Sequence, residues 1–392
     1  MLLGTAVWGQ TLKLTPGKYN AYLRLNETTQ MPIRLHVEIK QKQNILVITN
    51  SEERIELTTF IKSGDSNVVA FPSFDSELRF ITHKKKEMRG FWINYNKGKN
   101  YKIPFYAHLE TKEDELNPPT ENMQGIWETR FSPKTPDEEL AKGIFNQNQS
   151  ILTGTFQTET GDYRFLEGKI EGNRFYLSAF DGSHAFLIKG IVKNAKLQGS
   201  FFSGTHYSTD FSAIYNPNFE LRNPDSITRM KENTALTFTL KNLAGENYTY
   251  PNPSTKGKVV IIQIMGTWCP NCMDETNFYK ELYDTYHSKG LEIISIGYEY
   301  PESFDEQVKK IQTLIDRKQL TFQFLVGGKA SKSLASQQFS MLNEIISFPT
   351  SIFIGRDGEV KRVHTGFNGP GTGKIYEEYI EKTKSLIEAL LK

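Results

Sequence analysis

The chain has 392 residues, and its 47 basic side chains nearly balance its 45 acidic ones, for a formal net charge of +2 at pH 7. That balance argues against a polybasic surface for nucleic acid or anionic lipid. No apolar run approaches the ~18 residues of a membrane-spanning helix, and the length fits a protein of several domains.

The first ten residues, Met-Leu-Leu-Gly-Thr-Ala-Val-Trp-Gly-Gln, are mostly apolar. They look like the tail of a secretory signal whose basic n-region is missing. The other reading of residues 1–16 is a short first strand. From there to about residue 233 the chain is a series of short β-type runs separated by Gly, Asn, Asp and Ser. Examples are 33–38, 44–49, 165–170, 175–179 and 185–191. This texture predicts an all-β region, a sandwich or barrel.

Within it, two halves echo each other at an offset of 106–109 residues. Gly17-Lys18-Tyr19 aligns with Gly125-Ile126-Trp127, Gly90-Phe91-Trp92 with Gly199-Ser200-Phe201, and Phe105-Tyr106-Ala107 with Phe211-Ser212-Ala213. That spacing suits a duplicated domain better than a solenoid repeat. The expected boundaries are a β-module over 17–110, a linker over 111–124, a second module over 125–216 and a linker over 217–233. Convergent strand patterning without duplication is the other reading. Asp181-Gly182-Ser183-His184 groups three residue types used in hydrolysis, but Asp-Gly is first a turn, and adjacency in sequence is not triad geometry.

From residue 234 to 392 strand and helix signals alternate, as an α/β domain requires. The β-branched run 259–265 is a buried strand, 291–297 a second and 321–326 a third candidate. Ser303-Phe304-Asp305-Glu306 has capping-box spacing and opens a helix with Phe304, Val308, Ile311 and Ile315 on one face. Residues 351–363 read as a hairpin around Asp357-Gly358, and 374–392 as a closing amphipathic helix.

Both cysteines of the chain fall in Trp268-Cys269-Pro270-Asn271-Cys272, where the 259–265 strand gives way to a helical pattern. Cys269 then stands at a helix N-terminus, whose unpaired N–H groups and positive dipole lower a thiol pKa from about 8.5 to roughly 3.5–7.5. It is the candidate attacking sulfur. Cys272, one turn deeper, suits a resolving thiol that closes the pair through a mixed disulfide. A structural zinc needs about four ligands, and no further cysteine and only scattered histidines are available. A purely structural disulfide across so short a loop would gain little. Beyond the motif, Glu275 shares a helix face with Cys272, Thr276, Tyr279, Leu282, Tyr283 and Tyr286, which turns its carboxyl inward. Burial would raise its pKa and fit it for proton exchange with the cysteines. The plainer reading is a glutamate that decorates the first turn.

The order of these features resembles the thioredoxin fold, and in detail the TlpA/ResA group of extracytoplasmic thiol-disulfide oxidoreductases. The resemblance covers about 160 residues, from about Ala235 onward. It rests on Leu236-Thr237-Phe238-Thr239-Leu240 with Gly245, Lys256-Gly257-Lys258 before the 259–265 strand, the Trp-Cys-x-x-Cys motif followed by Glu275, and Phe348-Pro349-Thr350. It implies a cis Pro349 facing the disulfide, with Phe348 and Trp268 beside it as substrate-binding residues, and a proton-handling role for Glu275. Two departures stand out: Gln263 where thioredoxin has a buried aspartate, and Asn277 where many relatives have a helix-kinking proline.

Together these readings predict an α/β thioredoxin-like C-terminal domain behind an all-β N-terminal region. The expected function is an extracytoplasmic oxidoreductase that reduces protein disulfides with Cys269 and Cys272, needs no cofactor or metal, and draws electrons from a membrane or periplasmic thiol donor. Its expected place is the periplasm or cell envelope. Two alternatives stay open: a client- or ligand-binding β-module protein with a redox-sensing thioredoxin domain, and a thiol-dependent peroxidase. The latter would want a Thr/Ser-x-x-Cys setting with an arginine nearby, whereas Cys269 follows Gly266-Thr267-Trp268.

Overall fold

The structure is a computed structural model and describes residues 12–98, 100–111 and 117–392. Most of the expected signal remnant or first strand, and part of the 111–124 linker, lie outside the described residues. The chain divides into two compact units. One comprises the chain to residue 139 with 145–154 and 165–217. The other comprises 140–144, 155–164 and 218–392.

The first unit holds most of two antiparallel nine-stranded sheets of matching plan. In each, the opening strand, Gly17–Arg24 or Gly125–Phe131, pairs with the closing one, Lys102–Leu109 or Tyr207–Tyr215. Gly90 and Gly199 occupy corresponding strands, and at each a Cβ would run into a carbonyl oxygen of the neighbouring strand, Arg79 or Lys189. The repeated glycines are thus places where strands approach too closely for any side chain. The sheets differ in closure. Strands Glu139–Asn148 and Ile151–Thr158 pair and complete an eight-stranded barrel in the second sheet, whereas Glu53–Leu57 and Phe60–Ser63 leave the first as a half-barrel. Phe180, Ala185 and Leu187 of the second sheet join the core of the half-barrel beside Phe71, Phe80, Trp92 and Phe105. Asn50 pairs with the backbone N–H and C=O of Phe180 at 3.0 and 3.1 Å. Asp181-Gly182-Ser183-His184 is a turn: the Asp181 carboxylate accepts the N–H groups of Ser183 and His184 at 2.8 and 2.6 Å.

The second unit carries the thioredoxin-like domain. Its central strand Val259–Met265 is buried at all seven positions, as expected of a strand covered on both faces. It pairs in parallel with Leu291–Glu299, which pairs in parallel with Gln323–Lys329. On its other side it meets Thr350–Ile354, which forms the hairpin with Val360–Thr365. The lead-in hairpin Phe238–Asn242 and Asn247–Tyr250 completes a seven-stranded sheet. Four helices flank it: α1 Pro270–Tyr286, α2 Phe304–Lys318, α3 Lys332–Gln338 and α4 Lys374–Leu391. α1 runs unbroken through the exposed Asn277. α2 is capped by the Ser303 hydroxyl, which accepts the Glu306 N–H, and Glu306 accepts the Ser303 hydroxyl proton in return. α3 lacks a sequence signal because Ala335 is its one buried residue.

Candidate active site

The buried strand Val259–Met265 ends at Gly266, and the backbone turns through Thr267 and Trp268 into α1, with Cys269 as N-cap and Pro270 at the first helical position. Proline suits that position, because its missing N–H would have no partner there. Cys269 and Cys272 form a disulfide. The Cys272 N–H donates to Cys269 Sγ at 3.2 Å, so the cap position offers a backbone donor to this sulfur. Such a donor, with the helix dipole, stabilises a thiolate on reduction. Cys269 retains 7% exposure while Cys272 has none, an asymmetry that leaves Cys269 as the sulfur a substrate can reach.

Opposite the pair, the Phe348–Pro349 peptide is cis, and the Phe348 carbonyl oxygen lies 3.5 Å from Cys269 Sγ. Phe348 stacks on Tyr298 at 5.3 Å and meets the edge of Trp268 at 6.2 Å. Trp268 is half-buried; its indole N–H donates to the Tyr298 carbonyl at 2.9 Å, and its ring lies 4.7 Å from that of the exposed Tyr300. The structure thus brings Trp268, Phe348 and Pro349 together around Cys269.

Glu275 is fully buried. Its carboxylate accepts from Gln263 Nε2 at 2.9 Å, Ser351 Oγ at 3.0 Å and Tyr279 OH at 3.1 Å. Burial pushes its pKa up to about 7, against the pull of those three donors. Gln263 does more than replace an acid. Its amide also donates to Thr276 Oγ1 at 3.1 Å, and Thr276 in turn donates to the Cys272 carbonyl at 2.7 Å. One buried hydrogen-bonded network therefore joins the carboxyl group to the turn of helix that holds Cys272. A group with a pKa near neutrality can take up and return a proton at physiological pH.

Sequence reasoning missed Glu299, at the end of strand Leu291–Glu299. It is 1% exposed and accepts both the N–H and the hydroxyl of Thr267 at 2.9 and 2.7 Å. Burial raises its pKa to about 7. A lone carboxylate closing an apolar strand was the available signal. Glu299 is a positioning residue, since it pins the residue before Trp268. Glu299→Ala is expected to lower stability in urea melts by about 2 kcal/mol, because it strips two donors of their partner. Glu299→Gln, which keeps an acceptor, should recover part of that loss, and an unchanged melt for the alanine variant would contradict the assignment. Among the described residues no group of three or more His, Cys, Asp or Glu is placed to hold a metal ion.

A thioredoxin-like sheet with a dithiol at the N-terminus of α1 defines the class, that of thioredoxin-fold redox proteins, and residues 230–380 match the Redoxin family. Thiol-disulfide oxidoreductase ResA of Halalkalibacterium halodurans is 31% identical over 150 residues, 38% of this chain and 75% of the relative. ResA of Geobacillus kaustophilus is 29% identical over 153 residues, 38% of this chain and 76% of the relative. Among solved structures, StoA from Bacillus subtilis is 24% identical over 38% of this chain and 98% of its own, with a TM-score of 0.27. The chain belongs to the ResA family of thiol-disulfide oxidoreductases.

Proposed function

We propose that the protein reduces disulfides of client proteins outside the cytoplasm, by direct thiol exchange and without a bound cofactor. The observation that carries this reading is the Cys269–Cys272 pair at the cap of α1, with Cys269 as the sulfur that keeps some exposure. In the reduced enzyme the Cys269 thiolate attacks one sulfur of the client disulfide, and the other sulfur leaves as a thiolate that takes up a proton. Cys272 then gives its proton to the Glu275 carboxylate and attacks Cys269. The second client thiolate leaves, and the enzyme holds the Cys269–Cys272 disulfide, having passed on two electrons. A membrane or periplasmic dithiol donor restores the reduced pair. Trp268 and Phe348 line the client's path, and the backbone of the Phe348–Pro349 segment receives an extended client strand. The β-modules, over 17–110 and 125–216, select or orient the client. The cell-envelope location rests on the resemblance to the TlpA/ResA group. Among the described residues no helix is long and apolar enough to cross a membrane.

The test is turnover of insulin disulfides with dithiothreitol as electron source. Reduction well above the dithiothreitol background supports the proposal. Tight binding of a client with no turnover would replace it with the binding or sensor reading.

A further inference from the structure

Residues 155–164 lie within the second β-module in sequence but belong to the compact unit of the thioredoxin-like domain. There they form a hairpin tip, with Gln157 opposite Asp162 and Thr158 opposite Gly161. The turn is tightened by Thr158, whose hydroxyl donates to the Gly161 carbonyl at 3.0 Å and accepts the Thr160 N–H at 3.2 Å.

This tip sits directly on the redox motif. Asn271, between the two cysteines, donates its side-chain amide to the Asp162 carbonyl at 3.3 Å and to the Phe367 carbonyl at 3.1 Å. Ser347, two residues before Pro349, donates its hydroxyl to the Thr160 carbonyl at 2.9 Å. The Asp162 carboxylate, 7% exposed, accepts the backbone N–H of Gly369 and that of Arg164. The Arg164 guanidinium pairs with Asp274 of α1, and Arg222 pairs with Glu159. The fit is close on both sides. A Cβ at Gly161 would collide with the Asn271 amide, and one at Gly366 with the backbone of Thr160. Gly161 also has φ +145°, where L side chains are disfavoured.

We propose that the 158–164 tip is a fixed wall of the client site, which determines specificity by closing the Asn271 and Ser347 side of Cys269. Approach is then left across Trp268 and Tyr300, where a narrow extended segment carrying a disulfide can enter and the broad surface of a folded protein cannot. The wall acts by steric exclusion, the repulsive half of specificity. The Ser347 hydroxyl that meets the tip also lies 3.3 Å from the Phe348 carbonyl beside Cys269. This inference rests on the reductase reading above and specifies its substrate class.

The test compares two substrates under the same dithiothreitol supply: hydroxyethyl disulfide, which is small, and native folded ribonuclease A, whose disulfides sit on a compact protein. Gly161→Val unseats the tip through its clash with Asn271. Arg164→Ala loosens the tip by removing the guanidinium that pairs with Asp274, and serves if the valine variant fails to fold. Circular dichroism and a cooperative melt establish folding. The expected result is a rise of about tenfold in the ratio of ribonuclease to hydroxyethyl disulfide rates, with the small-disulfide rate within about twofold of the parent. An unchanged ratio in a folded variant overturns the wall while leaving the reductase reading intact. So does a parallel fall in both rates, which would make the tip a brace for the motif. A parent enzyme that reduces neither substrate would instead bring down the reductase reading, and the wall with it.

Discussion

Cys269→Ser is expected to abolish insulin reduction, with a loss on the order of 10³-fold or more, because the thiol that remains, Cys272, is fully buried and out of a client's reach. Cys272→Ser should also lose turnover but by a different route. Its Cys269 still attacks, and without a resolving thiol the mixed disulfide persists and can be isolated on a non-reducing gel. The asymmetry follows from exposure, 7% for Cys269 and none for Cys272. Efficient trapping by Cys269→Ser through Cys272 would reverse the assignment of the two sulfurs. Both variants remove the disulfide, so their melts are compared with the reduced parent.

Glu275→Gln carries the second large effect, on rate and on the pH dependence of stability. Resolution of the mixed disulfide should slow on the order of a hundredfold at pH 7, the scale of a lost general base. The stability effect has a defined sign. In the fold, burial raises the Glu275 pKa from 4.5 to about 7. Below pH 4.5 the group is protonated whether the chain is folded or unfolded, and its contribution is fully present. As pH rises toward 7 the unfolded chain releases the proton first, and the folded state loses about 3 kcal/mol relative to it. Glutamine does not titrate. In oxidised protein, the stability of the parent minus that of the variant should therefore fall by about 3 kcal/mol between pH 4.5 and pH 8. Asp162 and Glu299 also have raised pKa values, but they are present in both proteins and cancel in the difference. Urea melts across this range read the effect, and a flat difference would mean that the fold leaves the Glu275 pKa at its ordinary value.

The C-terminal domain was legible in the sequence because its signals are local. The run 259–265 has room for nothing but apolar side chains except Gln263, and Gln263 proved to be the amide that ties Glu275 to Thr276. The inward face of α1 was readable from its spacing, and Glu275 lies on it, fully buried. Local pattern could not show which β-module closes. Closure depends on strands Glu139–Asn148 and Ile151–Thr158 joining the ends of one sheet, a pairing that alternation of side chains does not encode. The 158–164 tip was hidden for a related reason. Glu159-Thr160-Gly161-Asp162 reads as a polar turn, and its partners Asn271 and Asp274 lie more than a hundred residues away in sequence. Glu299 needed the fold as well, since only the placement of Thr267 explains a carboxylate buried at the end of a strand.

Two features of the site pull the direction of electron flow opposite ways. A helix cap favours the thiolate and hence the reduced pair, whereas the buried Glu275 carboxylate on the same helix face, once ionised, opposes it and favours the disulfide. The decisive measurement is the equilibrium reduction potential of Cys269–Cys272 at pH 7, poised against dithiothreitol and glutathione. A reductase is expected near the thioredoxin value of about −270 mV or below. A value near about −120 mV, typical of a strong oxidant, would contradict the proposed direction and make the protein a donor of disulfides.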